Sequence, residues 1–183
     1  MAQEPDPWVE ALKAREPEAV RKLWDEFSGP VRRYLLGMLR HPADAEDLAQ
    51  ETLVRLLQHA GDFRGGASLK TYLFQIAHNL ALNHLASAPA RRESYTGELP
   101  EWKASPEPGA FERVAAGQEA RRVRAALETL PPQQRAVVIL RAWEELSFKE
   151  IARALGLAEG TAKAHYFFAL RNLRRRMEEP DGP

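Results

Sequence analysis

The chain has 183 residues, of which 44% are hydrophobic and 28% are charged, and it contains no cysteine. This length predicts one or two globular domains, and the lack of cysteine excludes disulfides and thiolate metal sites. No apolar run approaches the roughly 18 residues that a membrane-spanning helix needs, and Met1 to Asp6 is too polar for a signal-peptide core. We therefore expect a cytoplasmic protein without membrane insertion.

Hydrophobic periodicity predicts helices through most of the N-terminal half and no strand. Ser68 is predicted to cap the N-terminus of a long helix that reaches about Ser87, after a short loop at 61–67. Gly29-Pro30 is expected to end a helix, because proline inside a helix removes a backbone hydrogen bond. The predicted helices before the loop begin at Pro7 and span 17–27, 31–40 and 42–59.

Residues 88–120 lose this periodicity and contain four of the chain's prolines and three of its glycines. They predict a flexible linker that ends in a short helix from Phe111. Because a structureless loop of this length does not fit inside a compact domain, we expect two small domains, 1–87 and 121–183. The expected fold class is all-α, with an N-terminal helical bundle and a C-terminal helix-turn-helix.

Charge is unevenly distributed, although the whole chain has a formal net charge of zero. Residues 121–183 carry 12 Lys/Arg and 8 Asp/Glu, a net charge of +4, and 163–176 contain five basic residues and no acid. The C-terminal domain is therefore the one suited to approach phosphates. Its predicted helices span 121–129, 132–143, 147–155 and 160–177, with a capping-box pattern from Ser147 to Glu150.

The last two helices have the size of a helix-turn-helix, with a short turn at 156–158. A basic outward face suits phosphate contacts, but a helical hairpin with a solvated basic face fits the same pattern. Phe167 and Phe168 are unusual on a solvated face, and either thymine methyl groups or a protein partner would explain them. The predicted inward residues are Ala162, Tyr166, Ala169, Leu170, Leu173 and Met177, and the predicted outward ones are Lys163, Phe167, Phe168, Arg171, Arg174 and Arg175.

Two further helix faces in the N-terminal half are candidate sites. The helix at 42–59 presents a partly acidic face, which is either solvated or a docking face for a basic protein surface. The helix after Ser68 presents amides and aromatics that suit base edges and an unpaired base, or an ordinary polar face. The first face comprises Asp47, Gln50, Glu51 and Val54, and the second comprises Lys70, Phe74, Gln75, His78, Asn79 and Asn83.

Three groups of motifs resemble the extracytoplasmic-function (ECF, group IV) sigma factors of bacterial RNA polymerase. Asp44 to Glu51 reads D-A-E-D-L-A-Q-E, and Phe63-Arg-Gly is followed by T-Y-L-F-Q-I-A-H-N at 71–79. The third group comprises 127–135, 146–152 and 159–163. The resemblance implies an alternative sigma factor that binds core polymerase, directs it to promoters and promotes melting, with no catalysis and no cofactor.

The resemblance also implies residue roles. Domain 2, at 1–87, would bind the clamp helices of the largest polymerase subunit and the −10 element. Domain 4, at 121–183, would bind the −35 element near the flap of the second-largest subunit, and an anti-sigma factor is an expected partner. The implied core-binding residues are Asp47, Gln50, Glu51 and Val54; those for the −10 element are Phe63, Arg64, Gly65, Ser68, Lys70, Asn79 and Asn83; those for the −35 element are Thr161, Lys163, His165, Phe168, Arg171, Arg174 and Arg175.

This sequence departs from the family pattern in its last helix, where arginine is missing at 165, 168 and 170. Two other functions stay open on the residues alone. An autonomous helix-turn-helix regulator would use 1–87 as a sensor or dimerisation domain. A metal-dependent enzyme would use the acids at 44–51, but these do not converge with a histidine, and we expect no metal site.

Overall fold

The computed structural model describes residues 7–87 and 118–178, with the side chains of 118–121 left aside. All regular elements within these ranges are helices, which confirms the all-α prediction. The described helices are α1 (Pro7–Lys13), α2 (Pro17–Leu39), α3 (Pro42–Gln58), a 3-10 turn (Ala60–Asp62), α4 (Leu69–Ser87), α5 (Gln118–Glu128), α6 (Pro132–Ala142), α7 (Phe148–Leu155) and α8 (Glu159–Glu178).

The chain divides into two compact units. The first contains α1 to α4, and the second contains α5, α6, α8 and most of α7. Most of the predicted linker, including the short helix expected from Phe111, lies outside the described residues. Its last three residues belong to α5, which begins at Gln118 rather than at 121.

Helix α2 is continuous through Pro30, so the predicted break at Gly29-Pro30 is wrong. Pro30 removes one hydrogen bond of the helix. The packing on either side of it offsets this cost, because Phe27 and Val31 are both buried and the apolar face continues to Tyr34. Tertiary burial of one uninterrupted face therefore outweighs the local preference of proline.

The core of the first unit lies where α3 packs against α2 and α4. Tyr34 of α2, Leu53 of α3 and Leu73 of α4 are all fully buried. Helix α4 also packs directly against α2. No helix in the described residues has both the length and the apolar character that crossing a bilayer requires.

The core of the second unit holds the helix-turn-helix in place. Helix α8 packs against α5 and α6 through Ala169 and Leu173, and Tyr166 and Met177 pack at the edge of this core. Leu170 was predicted to face inward, but its side chain is 39% exposed. The buried stripe is centred on Ala169 and Leu173, so Leu170 falls at the border of the arc that α5 and α6 cover.

The two ends of α7, the first helix of the helix-turn-helix, carry local signals that the sequence predicted. The Ser147 Oγ accepts the Glu150 N–H at 3.2 Å, and the Glu150 carboxylate accepts the Ser147 N–H at 2.8 Å, which confirms the capping box. Gly156 follows α7 with a φ of 67°, and the Leu157 N–H donates to the Ala152 carbonyl at 2.8 Å. Glycine is suited to this left-handed cap, which turns the chain into α8.

Candidate functional site

The outward face of α3 carries the residues that the sequence singled out for protein binding. Asp47, Gln50 and Val54 are exposed, and the Val54 side chain is 42% exposed. Glu51 is half-buried, and its carboxylate accepts a hydrogen bond from the Arg55 Nε at 2.9 Å. An apolar side chain on a partly acidic face gives a partner both an apolar contact and charges to pair with.

A groove of about 190 Å³ lies beside this face, between α2 and α3. Trp24 of α2 and Gln50 of α3 line it, and Arg32 and Glu46 approach each other at 3.6 Å. The groove extends the α3 face onto α2, and it presents the Trp24 ring and the Glu46 carboxylate beside that face. Periodicity within α3 alone could not reveal it.

The loop before α4 contains exposed residues and residues that make contacts within the first unit. Arg64 and Gly65 are exposed, and Gly65 has a φ of 74° that favours glycine. Phe63 is half-buried, with its ring centroid 5.6 Å from that of Tyr72. Ser68 is the predicted N-cap, since its Oγ accepts the Thr71 N–H at 3.1 Å. The Ser68 hydroxyl therefore orients α4, and Lys70 lies half-buried in the first turn.

The outward face of α4 is narrower than the sequence predicted. Gln75, Asn79 and Asn83 follow one another at i, i+4 and i+8, and all three are exposed. The prediction that placed Phe74 and His78 on this face is wrong, because both are buried. The exposed strip is therefore a row of amides, which can donate to and accept from base edges.

Phe74 and His78 are buried against Tyr34 of α2. The Phe74 ring meets the Tyr34 ring edge-on, with 5.5 Å between centroids. The Tyr34 Oη lies 2.8 Å from the His78 Nδ1. Burial lowers the pKa of His78 to about 4 and raises that of Tyr34, so both groups are neutral near pH 7.

Asp44, the first acid of the D-A-E-D motif, links α3 to α4. Its Oδ2 lies 3.0 Å from the His84 Nε2 and 3.3 Å from the His41 Nδ1. The sequence reasoning missed this contact because His84 lies 40 positions away and carries no local signal. These three side chains do not form a metal-binding cluster. The described residues contain no group of histidines and acids arranged to hold a metal ion.

The exposed face of α8 is basic at its rim and apolar at its centre. Thr161 and Lys163 are exposed near the helix start, Phe168 is 44% exposed, and His165 is half-buried. The Lys163 Nζ pairs with the Glu159 Oε1 at 2.8 Å, and this hydrogen bond lowers the pKa of Glu159. All the predicted outward residues of α8 are exposed: Lys163, Phe167, Phe168, Arg171, Arg174 and Arg175.

The two units match two family models. Residues 23–91 match Sigma-70 region 2, and residues 120–173 match Sigma-70, region 4. The autonomous regulator considered above leaves the first of these segments without a role. The region 2 match therefore favours a sigma factor over that alternative.

Two proteins of similar sequence are also described as sigma factors. The chain is 36% identical to the ECF RNA polymerase sigma factor BldN of Streptomyces coelicolor, over 91% of this chain and 63% of BldN. It is 33% identical to the ECF RNA polymerase sigma factor SigL of Mycobacterium tuberculosis, over 93% of this chain and 96% of SigL. The chain thus spans less than two thirds of BldN but nearly all of SigL.

A solved structure shows the same fold. It contains the sigma factor RpoE of Bartonella quintana in complex with the anti-sigma factor NepR, at a TM-score of 0.65 and 23% identity, over 91% of this chain and 98% of that one. Both family models and the two relatives identify a sigma factor, and the fold agrees with this assignment. The chain belongs to the ECF family of RNA polymerase sigma factors, alternative sigma factors that act in transcription initiation and are not enzymes.

Proposed function

We propose that the chain is a group IV sigma factor that reads a promoter with two separate units, each through one exposed helix face. Residues 1–87 would act as domain 2, residues 121–183 as domain 4, and 88–120 as the connection between them. The family matches to 23–91 and 120–173 support a division into these two domains. A cytoplasmic location follows from this role.

The α3 face is the proposed contact to core polymerase. Asp47, Gln50, Glu51 and Val54 would face the clamp helices of the largest subunit, with the Trp24 groove at the edge of the contact. The exposure of Asp47 and Val54 supports this role, because charges at the rim of an interface steer association and an apolar side chain contributes burial.

The loop at 63–68 and the amide strip of α4 are the proposed −10 surface. Asn79 and Asn83 would hydrogen-bond the edges of an unpaired base, because both amides are exposed on one face. Ser68 would act through its cap, which fixes the start of α4, rather than through a free hydroxyl. The remaining residues of this surface are Phe63, Arg64, Gly65 and Lys70.

Helix α8 is the proposed −35 reader, close to the flap of the second-largest subunit. The observation that carries the whole proposal is this face, whose cations are exposed while Ala169 and Leu173 anchor the helix in the core. Arg171, Arg174 and Arg175 would contact phosphates, and residues near the helix start would contact bases. The proposed set is Thr161, Lys163, His165, Phe168, Arg171, Arg174 and Arg175.

An anti-sigma factor is a proposed regulatory partner. The complex of the Bartonella RpoE with NepR supports this, since this chain has the same fold. A pull-down from cells under non-inducing conditions tests it. We expect one protein besides polymerase subunits, and recovery of polymerase subunits alone would contradict the proposal.

Run-off transcription tests the proposed function. Purified core polymerase is mixed with pooled genomic fragments, with and without the protein, and discrete transcripts are expected only with it. Asp47→Asn should weaken core binding in gel filtration, whereas Asp25→Asn, which removes an exposed acid from α2, should not. Absence of both transcripts and core binding would overturn the proposal.

A further inference from the structure

An apolar patch occupies the centre of the exposed face of α8. Ala164, Phe167, Phe168 and Arg171 are spaced i, i+3, i+4 and i+7, so they share one face of the helix. The side chains of Phe167 and Phe168 are 63% and 44% exposed, and their rings meet edge-on with 5.7 Å between centroids. Two large exposed aromatics on one short stretch indicate a surface that another molecule covers.

Cations surround this patch. Lys163, Arg171 and Arg174 are exposed around it, and the segment from 163 to 176 contains no acid. The Arg171 guanidinium lies 5.5 Å from the centre of the Phe168 ring. The occupant must therefore be negatively charged at its edges and apolar at its centre, by charge complementarity.

The major groove of B-DNA has this arrangement. Phosphates line its two rims, and the 5-methyl group of thymine is the apolar group that the base edges present there. An aromatic ring has no side-chain donor for the acceptors of guanine, so the phenylalanines do not suit a G·C pair. Ala164 is small and lies between the two rings and the helix start, which allows the helix to approach the bases closely.

Building on the proposed −35 contact, we propose that Phe167 and Phe168 are specificity-determining residues that pack against the 5-methyl groups of thymines in the −35 element. Phe168 is already in the proposed contact set, and Phe167 joins it on the other side of Arg171. The arginines position the helix on the phosphates, and the two rings select thymine. The −35 element of this protein should therefore depend on the methyl groups themselves.

Replacement of thymine by deoxyuridine tests this, because it removes the methyl group and leaves every hydrogen bond of the base pair intact. The experiment uses holoenzyme and a promoter identified by run-off transcription, with each −35 thymine replaced in turn. We expect promoter affinity to fall about threefold for each methyl that a ring covers. In Phe168→Ala and Phe167→Ala holoenzymes the corresponding deoxyuridine effect should disappear.

Leu170→Ala is the matched control variant. Leu170 is an apolar residue of the same helix with 39% exposure, but it lies away from the centre of the exposed face. Holoenzyme with this substitution should keep the full deoxyuridine effect. Because all three side chains are exposed, the variants should fold, and the deoxyuridine substitution leaves the protein unchanged in any case.

Three results would overturn the inference. If the holoenzyme binds a promoter through its −35 element and deoxyuridine does not change the affinity, the methyl contact is refuted and the proposed sigma function stands. Loss of anti-sigma binding in the Phe variants, with unchanged promoter affinity, would assign the patch to a protein partner instead. No promoter-specific transcription by the wild-type holoenzyme would refute the proposed function and this inference together.

Discussion

The Tyr34 hydroxyl lies 2.8 Å from Nδ1 of His78, and both side chains are buried between α2 and α4. The neutral tyrosine donates to Nδ1 when the ring proton of His78 is on Nε2, and it accepts from Nδ1 when that proton is on Nδ1. Nε2 is buried without a hydrogen-bond partner in the described part of the chain. A second proton on this ring would place a buried charge in the core of the unit that carries the proposed −10 surface.

The first prediction concerns the pH dependence of stability. Burial lowers the pKa of His78 to about 4 in the folded state, below its unfolded value of about 6.5. The unfolded chain therefore binds more protons between these values, and stability falls as pH decreases from 6.5 to 4. We expect a loss of about 3 kcal/mol over this window, and none from this group above it.

Urea unfolding of the full chain at pH 7, 5.5 and 4.5 measures this loss. His78→Gln keeps a polar partner for Tyr34 but does not titrate, so its stability should vary less with pH. His59→Gln is the matched control, because the His59 side chain is 57% exposed. Equal pH dependence in wild type and His78→Gln would contradict the prediction.

The sequence predicted the features that depend on residues close together in the chain, such as helix caps. It missed the features that depend on how the helices pack against one another. Ser68 and the Ser147–Glu150 box were identified correctly because a cap involves residues three positions apart. Phe74 was misplaced because α4 packs against both α2 and α3, which buries a wider arc than an amphipathic helix needs. Its periodicity alone could not show how many helices cover it.

The second prediction concerns the difference in stability between a buried and an exposed position on α4. Phe74→Ala removes a fully buried ring, so the free energy of unfolding should fall by about 3–5 kcal/mol. Gln75→Ala changes an exposed position and should alter stability by less than about 0.5 kcal/mol. Thermal unfolding of both variants measures the difference. A Phe74→Ala variant as stable as wild type would show that the ring is not part of the core.

The third prediction concerns the bridge between α3 and α4. Asp44→Ala and His84→Ala each remove one side of a partly buried contact at 3.0 Å, and each should reduce stability by about 1 kcal/mol. The double variant should lose less than the sum of the two single losses, because both changes break the same contact. Urea unfolding of the four proteins gives the coupling. Strict additivity would show that the pair contributes nothing.

The fourth prediction concerns the ion pair at the start of α8. Glu159→Gln removes a carboxylate from the proposed DNA face and releases the Lys163 Nζ, which is 2.8 Å from it. Promoter affinity of the holoenzyme should rise roughly threefold, since an exposed pair of this kind is weak and its lysine becomes free for phosphate. Competition binding on one promoter measures it. A fall in affinity would mean that Glu159 itself contacts the DNA.

The fifth prediction concerns the arginines of α8 and distinguishes phosphate contacts from base contacts. Each phosphate that loses its cation reduces the number of counterions released on binding, so the slope of log K against log salt becomes shallower by about 0.9. Arg174→Ala and Arg175→Ala should each show this change, and each should weaken binding to different −35 sequences equally.

Arg21→Ala is the control, because it removes an exposed arginine of α2 outside the proposed surfaces. Promoter binding by holoenzyme between 50 and 200 mM salt, a range over which the Debye length falls about twofold, measures the slope. An unchanged slope with altered sequence preference would instead make these arginines base-reading residues, which would shift the centre of the −35 contact toward the C-terminal half of α8.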